Sequence, residues 1–147
     1  MISELEQQTL DIDWFFTNGH DIAFVASGGG RLPISVAKSF KNNKLLASFF
    51  NSLPVISEVI INPNLNKIIT NSVNGQYLAD FELMAKKGFY TFDKTVLNNF
   101  SDSSYHLVFK PVNPIKVQQM PIEIKDALSS SCYDGNLESI IDITLVT

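Results

Sequence analysis

The chain is short of the residues that most often carry chemistry. It has one cysteine, one arginine and two histidines among 147 residues. The lone thiol, Cys132, excludes an internal disulfide and a multi-cysteine zinc site. With Arg31 the single arginine and a formal net charge of -4, there is no cationic cluster to neutralise a phosphate backbone, which sets nucleic acid aside as the main partner. No apolar run approaches the ~20 residues needed to cross a bilayer, so no membrane span is expected. Residues 1–10 are polar and acidic, unlike a secretory signal, and the expected location is cytoplasmic.

What the chain does have is apolar bulk. Hydrophobic residues make up 45% and charged residues 18%, with 11 phenylalanines, enough for a full core within one domain spanning 1–147. Residues 1–10 read as a short helix or a frayed lead-in. The stretch from Asp11 to Pro33 organises the rest of the chain. Two aromatic and β-branched runs, 11–17 and 21–27, flank an Asn-Gly turn signal, and this predicts a β-hairpin. Ile12, Trp14 and Phe16 fall on one face of the first strand, with Asp13, Phe15 and Thr17 on the other. Ile22, Phe24 and Ala26 oppose Ala23, Val25 and Ser27 in the second. Both faces are apolar, which predicts a central hairpin rather than an exposed edge.

Gly28–Gly30 break the second strand, and Pro33 suits the first turn of a helix over 33–40. A further helical spacing over 44–53 ends at Pro54, and Lys41–Asn43 either interrupts one bent helix or separates two. Residues 55–61 read as a strand, Asn62-Pro63-Asn64 as a turn, and 65–70 as another short strand. Asn74 is placed to cap a helix over 75–87, with Tyr77, Leu78, Phe81, Met84 and Ala85 in one stripe and Gly88 at its C-terminal cap. Strands are expected at 89–93, 105–111 and 137–146, and a short helix from Pro121 to Ser129. Helices and strands mix without regular βαβ alternation. The pattern is α+β: a mainly antiparallel sheet, an N-terminal hairpin and about two to four helices packed on it.

The glycine loop is the sharpest candidate site. Gly28, Gly29, Gly30 and Arg31 between a strand and a helix can offer amides and a guanidinium to an anion. The spacing fits neither dinucleotide-binding nor P-loop fingerprints, so a backbone bend is the simpler role. Ser27 lacks the nucleophile-elbow pattern, and a Ser–His site would need His20 or His106 within reach of it. Asp11, Asp13, Asp21 and Glu58 have the oxygen ligands a hard cation needs but no calcium-loop spacing, so no metal is expected. No cofactor is implied, and no catalytic constellation is complete. As binding candidates the sequence offers Trp14 and His20 on the hairpin, Gly28–Arg31, and Tyr90, because aromatics and arginine are the usual anchors of interfaces.

At Asp-Ile-Asp-Trp-Phe-Phe (11–16), Phe-Val-Ala-Ser-Gly-Gly-Gly-Arg-Leu-Pro (24–33) and Met-Ala-Lys-Lys-Gly-Phe-Tyr-Thr-Phe-Asp-Lys (84–94), the chain resembles small uncharacterised bacterial proteins, some of them suspected of toxin immunity. That resemblance implies a single cytoplasmic domain whose task is to bind a cognate toxin, and it carries no active-site residues. The expectation is a non-catalytic intracellular binding protein. The alternative is a small-molecule or nucleotide-binding domain built on Gly28–Arg31. A third reading is a subunit that self-associates through a sheet edge.

Overall fold

Strands β1 (Asp13–Thr17) and β2 (Ile22–Ala26) bury every residue except Asp13. In the computed structural model, which describes residues 1–68, 75–137 and 140–147, they open a six-stranded sheet. The other strands are β3 (Val59–Ile61), β4 (Tyr90–Lys94), β5 (Ser104–Pro111) and β6 (Ile141–Asp142). The strand order is β1-β2-β4-β5-β3, with β6 beside the start of β5. Among the described pairs of strands only β2–β4 is parallel, beside an isolated parallel bridge from Thr17 to Cys132, so the fold is α+β with a mixed, mostly antiparallel sheet.

The alternation in β1 and β2 sorts as expected. Phe15, Ile22, Phe24 and Ala26 pack with Leu46, Phe50, Phe81 and Leu128 on one face. Trp14, Phe16, Ala23 and Val25 pack with Leu32, Val36, Ile141 and Ile143 on the other. A ribbon apolar on both sides needs two covers, and this is why the helices exceed the expected number. They are α1 (Glu4–Thr9), α2 (Ile34–Lys38), α3 (Phe40–Asn51), α4 (Leu65–Ile68), α5 (Gly75–Lys86) and α6 (Ile122–Leu128).

The hairpin is not wholly central. β2 is interior, but β1 ends the strand order. Its outer edge is closed by other means: Thr17 N–H donates to the Ser131 carbonyl at 3.1 Å, Tyr133 N–H donates to the Thr17 carbonyl at 2.9 Å, and the Asn43 side chain donates to the Asp13 carbonyl at 2.8 Å. The connecting turn is wider than a two-residue hairpin loop. Asn18 Oδ1 accepts from the amides of His20 and Asp21, at 3.1 and 2.8 Å, and Gly19 takes φ +94°.

Residues 1–10 are tied down rather than frayed. Ser3 and Glu6 form a reciprocal capping box at the start of α1. The buried Gln7 accepts from the Leu32 amide at 2.9 Å and donates to the Ile2 carbonyl at 3.0 Å. The helical stretch after Pro33 breaks at Ser39, whose φ is -125°, and not at 41–43; Asn43 lies within α3, buried. Two other expectations fail. Residues 65–68 are helix, because Asn62 and Pro63 act as a helix start: the Asn64 amide donates to Asn62 Oδ1 at 2.9 Å and the Leu65 amide to the Asn62 carbonyl at 3.1 Å. The strand expected over 137–146 shrinks to β6, since the Asp142 side chain accepts from the Thr144 amide and starts a 3₁₀ turn over Ile143–Leu145. Thr70, the Asn74 cap and the Tyr77 side chain lie outside the described residues, as do residues 138–139. Only 59–61 of the strand expected at 55–61 pairs with β5; the amides of Ile56 and Ser57 instead donate to the Lys86 carbonyl at the end of α5, at 2.8 and 2.9 Å.

Gly88 ends α5 as expected, with φ +103° and its amide on the Ala85 carbonyl at 2.9 Å. A Cβ there would also lie 2.7 Å from the Ile115 backbone nitrogen. Gly88→Ala should therefore cost about 2 kcal/mol of stability, the usual size of left-handed strain in a side-chain-bearing residue. Urea unfolding with an unchanged m-value checks this.

Candidate functional site

The glycine loop turns its polar groups onto its own chain. The Gly28 amide donates to Asp11 Oδ1 at 2.9 Å, and the Gly30 amide to the Ser27 carbonyl at 2.8 Å. That same carbonyl accepts from the Tyr105 hydroxyl at 3.0 Å. A Cβ on Gly30 would sit 2.5 Å from the Tyr105 oxygen and 2.8 Å from Lys94 Cδ, and one on Gly29 would sit 2.9 Å from the Gln8 carbonyl oxygen. Close approach is what these two positions require of glycine. Lys94 is buried beneath the loop. Its ammonium donates to the Asp102 carbonyl at 2.8 Å and lies 5.6 Å from the centre of the Tyr105 ring, and burial lowers its pKa.

The bend delivers Arg31 to the rim of a groove. Its guanidinium stands 3.8 Å from the Glu4 carboxylate and 5.0 Å over the Phe100 ring. Behind it opens a groove of about 730 Å³. Ile2, Leu32, Pro33, Ala37, Ile143 and Val146 give it apolar walls, while Arg31, Lys38 and Glu4 carry the side-chain charges. Ile34, 71% exposed, stands at its lip.

The remaining candidates lie elsewhere. Trp14 is wholly buried, edge-on to Tyr105, and its Nε1 has no acceptor among the described residues. His20 is exposed in the turn before β2, at the end of that strand opposite the glycine loop. Tyr90, half-buried, pairs with Ala23 at the start of β4, nearer the His20 end. Gly28–Arg31 is thus one place, and His20 and Tyr90 lie toward the other end of β2. Neither histidine meets Ser27: its hydroxyl accepts from the Ile12 amide at 2.8 Å, while His106 Nδ1 pairs with Thr95 Oγ1 at 3.0 Å.

A second feature lies on the opposite face of the sheet. Asp11 and Asp13 do not gather with Asp21 and Glu58. Asp21 instead pairs with Lys116 at 2.6 Å, and Glu58 precedes β3. Asp11 and Asp13 line a notch of about 230 Å³ with Asp80 and Asp93, walled by Phe24 and Phe81 and floored by Ala26. Register explains it: Asp13 opposes Ala26, Ala26 opposes Asp93, and Asp93 opposes His106, so all four share a face. Desolvation, then the negative charges of Asp11 and Asp80, push the Asp13 carboxyl up to about 6. Burial pushes His106 down to about 4, and its Nε2 has no partner among the described residues. Among the described residues no cluster of His, Cys, Asp and Glu is arranged to hold a metal ion, and no helix is long and apolar enough to cross a membrane.

No family model matches the chain, and neither a curated protein nor a solved structure is matched by it. The functional reading therefore stands on the site itself.

Asp13 and His106 predict a pH profile in which two slopes oppose. Between 3.8 and about 6 the folded state holds a proton on Asp13 that the unfolded state has released, so this group stabilises the fold as pH falls. Between about 4 and 6.5 the unfolded state protonates His106 and the fold does not, so that group destabilises as pH falls. The wild-type melting temperature should change little from this pair across that window. Asp13→Asn should be the more stable variant at pH 7, by ~1 kcal/mol given a carboxyl partly open to water, and should lose stability steadily on acidification. Thermal melts of both proteins from pH 7 to pH 4 check this.

Proposed function

We propose that this chain is a non-catalytic intracellular binding protein of bacterial origin that neutralises a cognate toxin by direct contact. The observation that supports it is the groove behind Arg31. Apolar walls with an exposed lip at Ile34, bordered by charged side chains, have the composition of a protein-docking surface. Arg31, stacked on Phe100 and steadied by Glu4, is a pre-positioned anchor of the kind that dominates interface energetics.

Co-expression tests it. The protein encoded beside this chain in its genome, if a toxin, should arrest growth alone and be retained on the purified chain. Co-expression should restore growth. Continued arrest, with no partner retained, removes the proposal.

A second reading is favoured by one number. A cavity of about 730 Å³ lies within the ~300–1,000 Å³ range of small-molecule sites. An anionic small molecule would then meet Arg31 and Lys38. Under this reading a phosphate compound at about 100 times its Kd should stabilise the fold by about 2.7 kcal/mol in a thermal melt, and Arg31→Ala should abolish the shift.

A further inference from the structure

The two ends of the strand order are finished differently. The outer edge of β1 is bonded to Ser131, Tyr133 and Asn43. The outer edge of β3 has no such cover. The Val112 amide donates to the Glu58 carbonyl and the Asn62 amide to the Val108 carbonyl, both at 2.9 Å. Residues 58, 60 and 62 therefore turn their main-chain groups to β5, and the alternation of an antiparallel pair turns those of Val59 and Ile61 outward. Nothing among the described residues bonds to these outward amides and carbonyls. Apart from its shortness, β3 has none of the devices that blunt an edge: its residues are Val-Ile-Ile, with no charge, proline or bulge. Val55, Ile56, Ile60 and Ile61 are 41% to 56% exposed, an apolar surface of the kind that marks an interface. None of them lines the groove or the notch. The charges stand at the two ends of the strand. Glu58 precedes β3 and Lys67 lies on α4 just after it; both are exposed, and neither side chain has a partner among the described residues.

We propose that this chain pairs with a second copy of itself along β3, the two strands antiparallel about a two-fold axis at Ile60. The outward groups fit that register. Val59 of each copy opposes Ile61 of the other, and both outward residues fall in hydrogen-bonded pairs. The self-complementary surface is what a two-fold contact requires. Charge agrees with the antiparallel sense. It brings Glu58 of one copy opposite Asn62 of the other, at the end where α4 carries Lys67, and the same pairing recurs at the far end of the axis. A parallel pairing would set Glu58 beside Glu58 and Lys67 beside Lys67, which like charges oppose. A three-residue strand makes a small contact, so the association is weak and set by concentration. It is independent of the groove and of what the groove binds.

Sedimentation equilibrium of the full chain tests this. The mean mass should rise with concentration from that of one chain toward twice that value. Ile60→Lys sets two ammonium groups against each other at the axis, where facing Cα atoms are only about 4.5 Å apart, and should raise the dimer dissociation constant about tenfold or more. Glu58→Lys and Lys67→Glu should each weaken the dimer at low salt, and the two changes together should restore it. All three positions are exposed, and melting curves at low concentration that match the wild type exclude misfolding as the cause. A chain that stays monomeric up to about 1 mM overturns the proposal. So does a dimer indifferent to Ile60→Lys, or one that Ile34→Glu breaks instead, which would place the contact at the groove. Failure of the double charge exchange to restore what the single changes lose overturns the antiparallel register. A monomeric chain that holds a different protein, and loses it in Ile60→Lys, assigns the edge to that partner's strand and likewise removes self-pairing.

Discussion

A strand pair with large side chains on both faces has no solvent side. Trp14 and Phe16 point one way and Phe15 the other, and all three are buried. The chain must therefore supply two covers. It uses α3, α5 and α6 on one side, and the segments around Ile2, Val36 and Ile143 on the other. The aromatic contacts divide in the same way: Phe15 meets Phe50 at 4.8 Å between ring centres on one face, and Trp14 meets Phe16 and Tyr105 on the other. The groove and the notch are openings left in these two covers, one on each side.

The glycine bend joins the two. Asp11 holds the Gly28 amide while its side chain also lines the notch, and three residues later Arg31 reaches the groove rim. The Ser27 carbonyl serves both the loop and Tyr105, so the bend is fastened to β5. Glycine here is a condition of close packing against Lys94 and Tyr105, and Arg31 inherits its position from that packing.

Legibility in the sequence tracked what each feature depends on. The hairpin could be read because alternation and the Asn-Gly signal are local, and the end of α5 at Gly88 could be read for the same reason. Residues 65–68 misled because β-branched content outweighed a helix start at Asn62-Pro63. Residues 137–146 misled similarly, and the Asp142 cap was decisive there. The groove had no sequence signature, since its walls come from residues near 2, 31–38 and 143–147. The notch needed the parallel β2–β4 register, which sets Asp93 beside Ala26, and no pattern within either strand announces that pairing.

The groove's construction also governs when it exists. Its opposing walls are more than a hundred residues apart in the chain, and Leu32 and Ile143 share one buried cluster with the strand residues Trp14, Val25 and Leu107. A nascent or locally opened chain thus presents no such cleft. The cleft is a property of the assembled fold and vanishes wherever either wall is released.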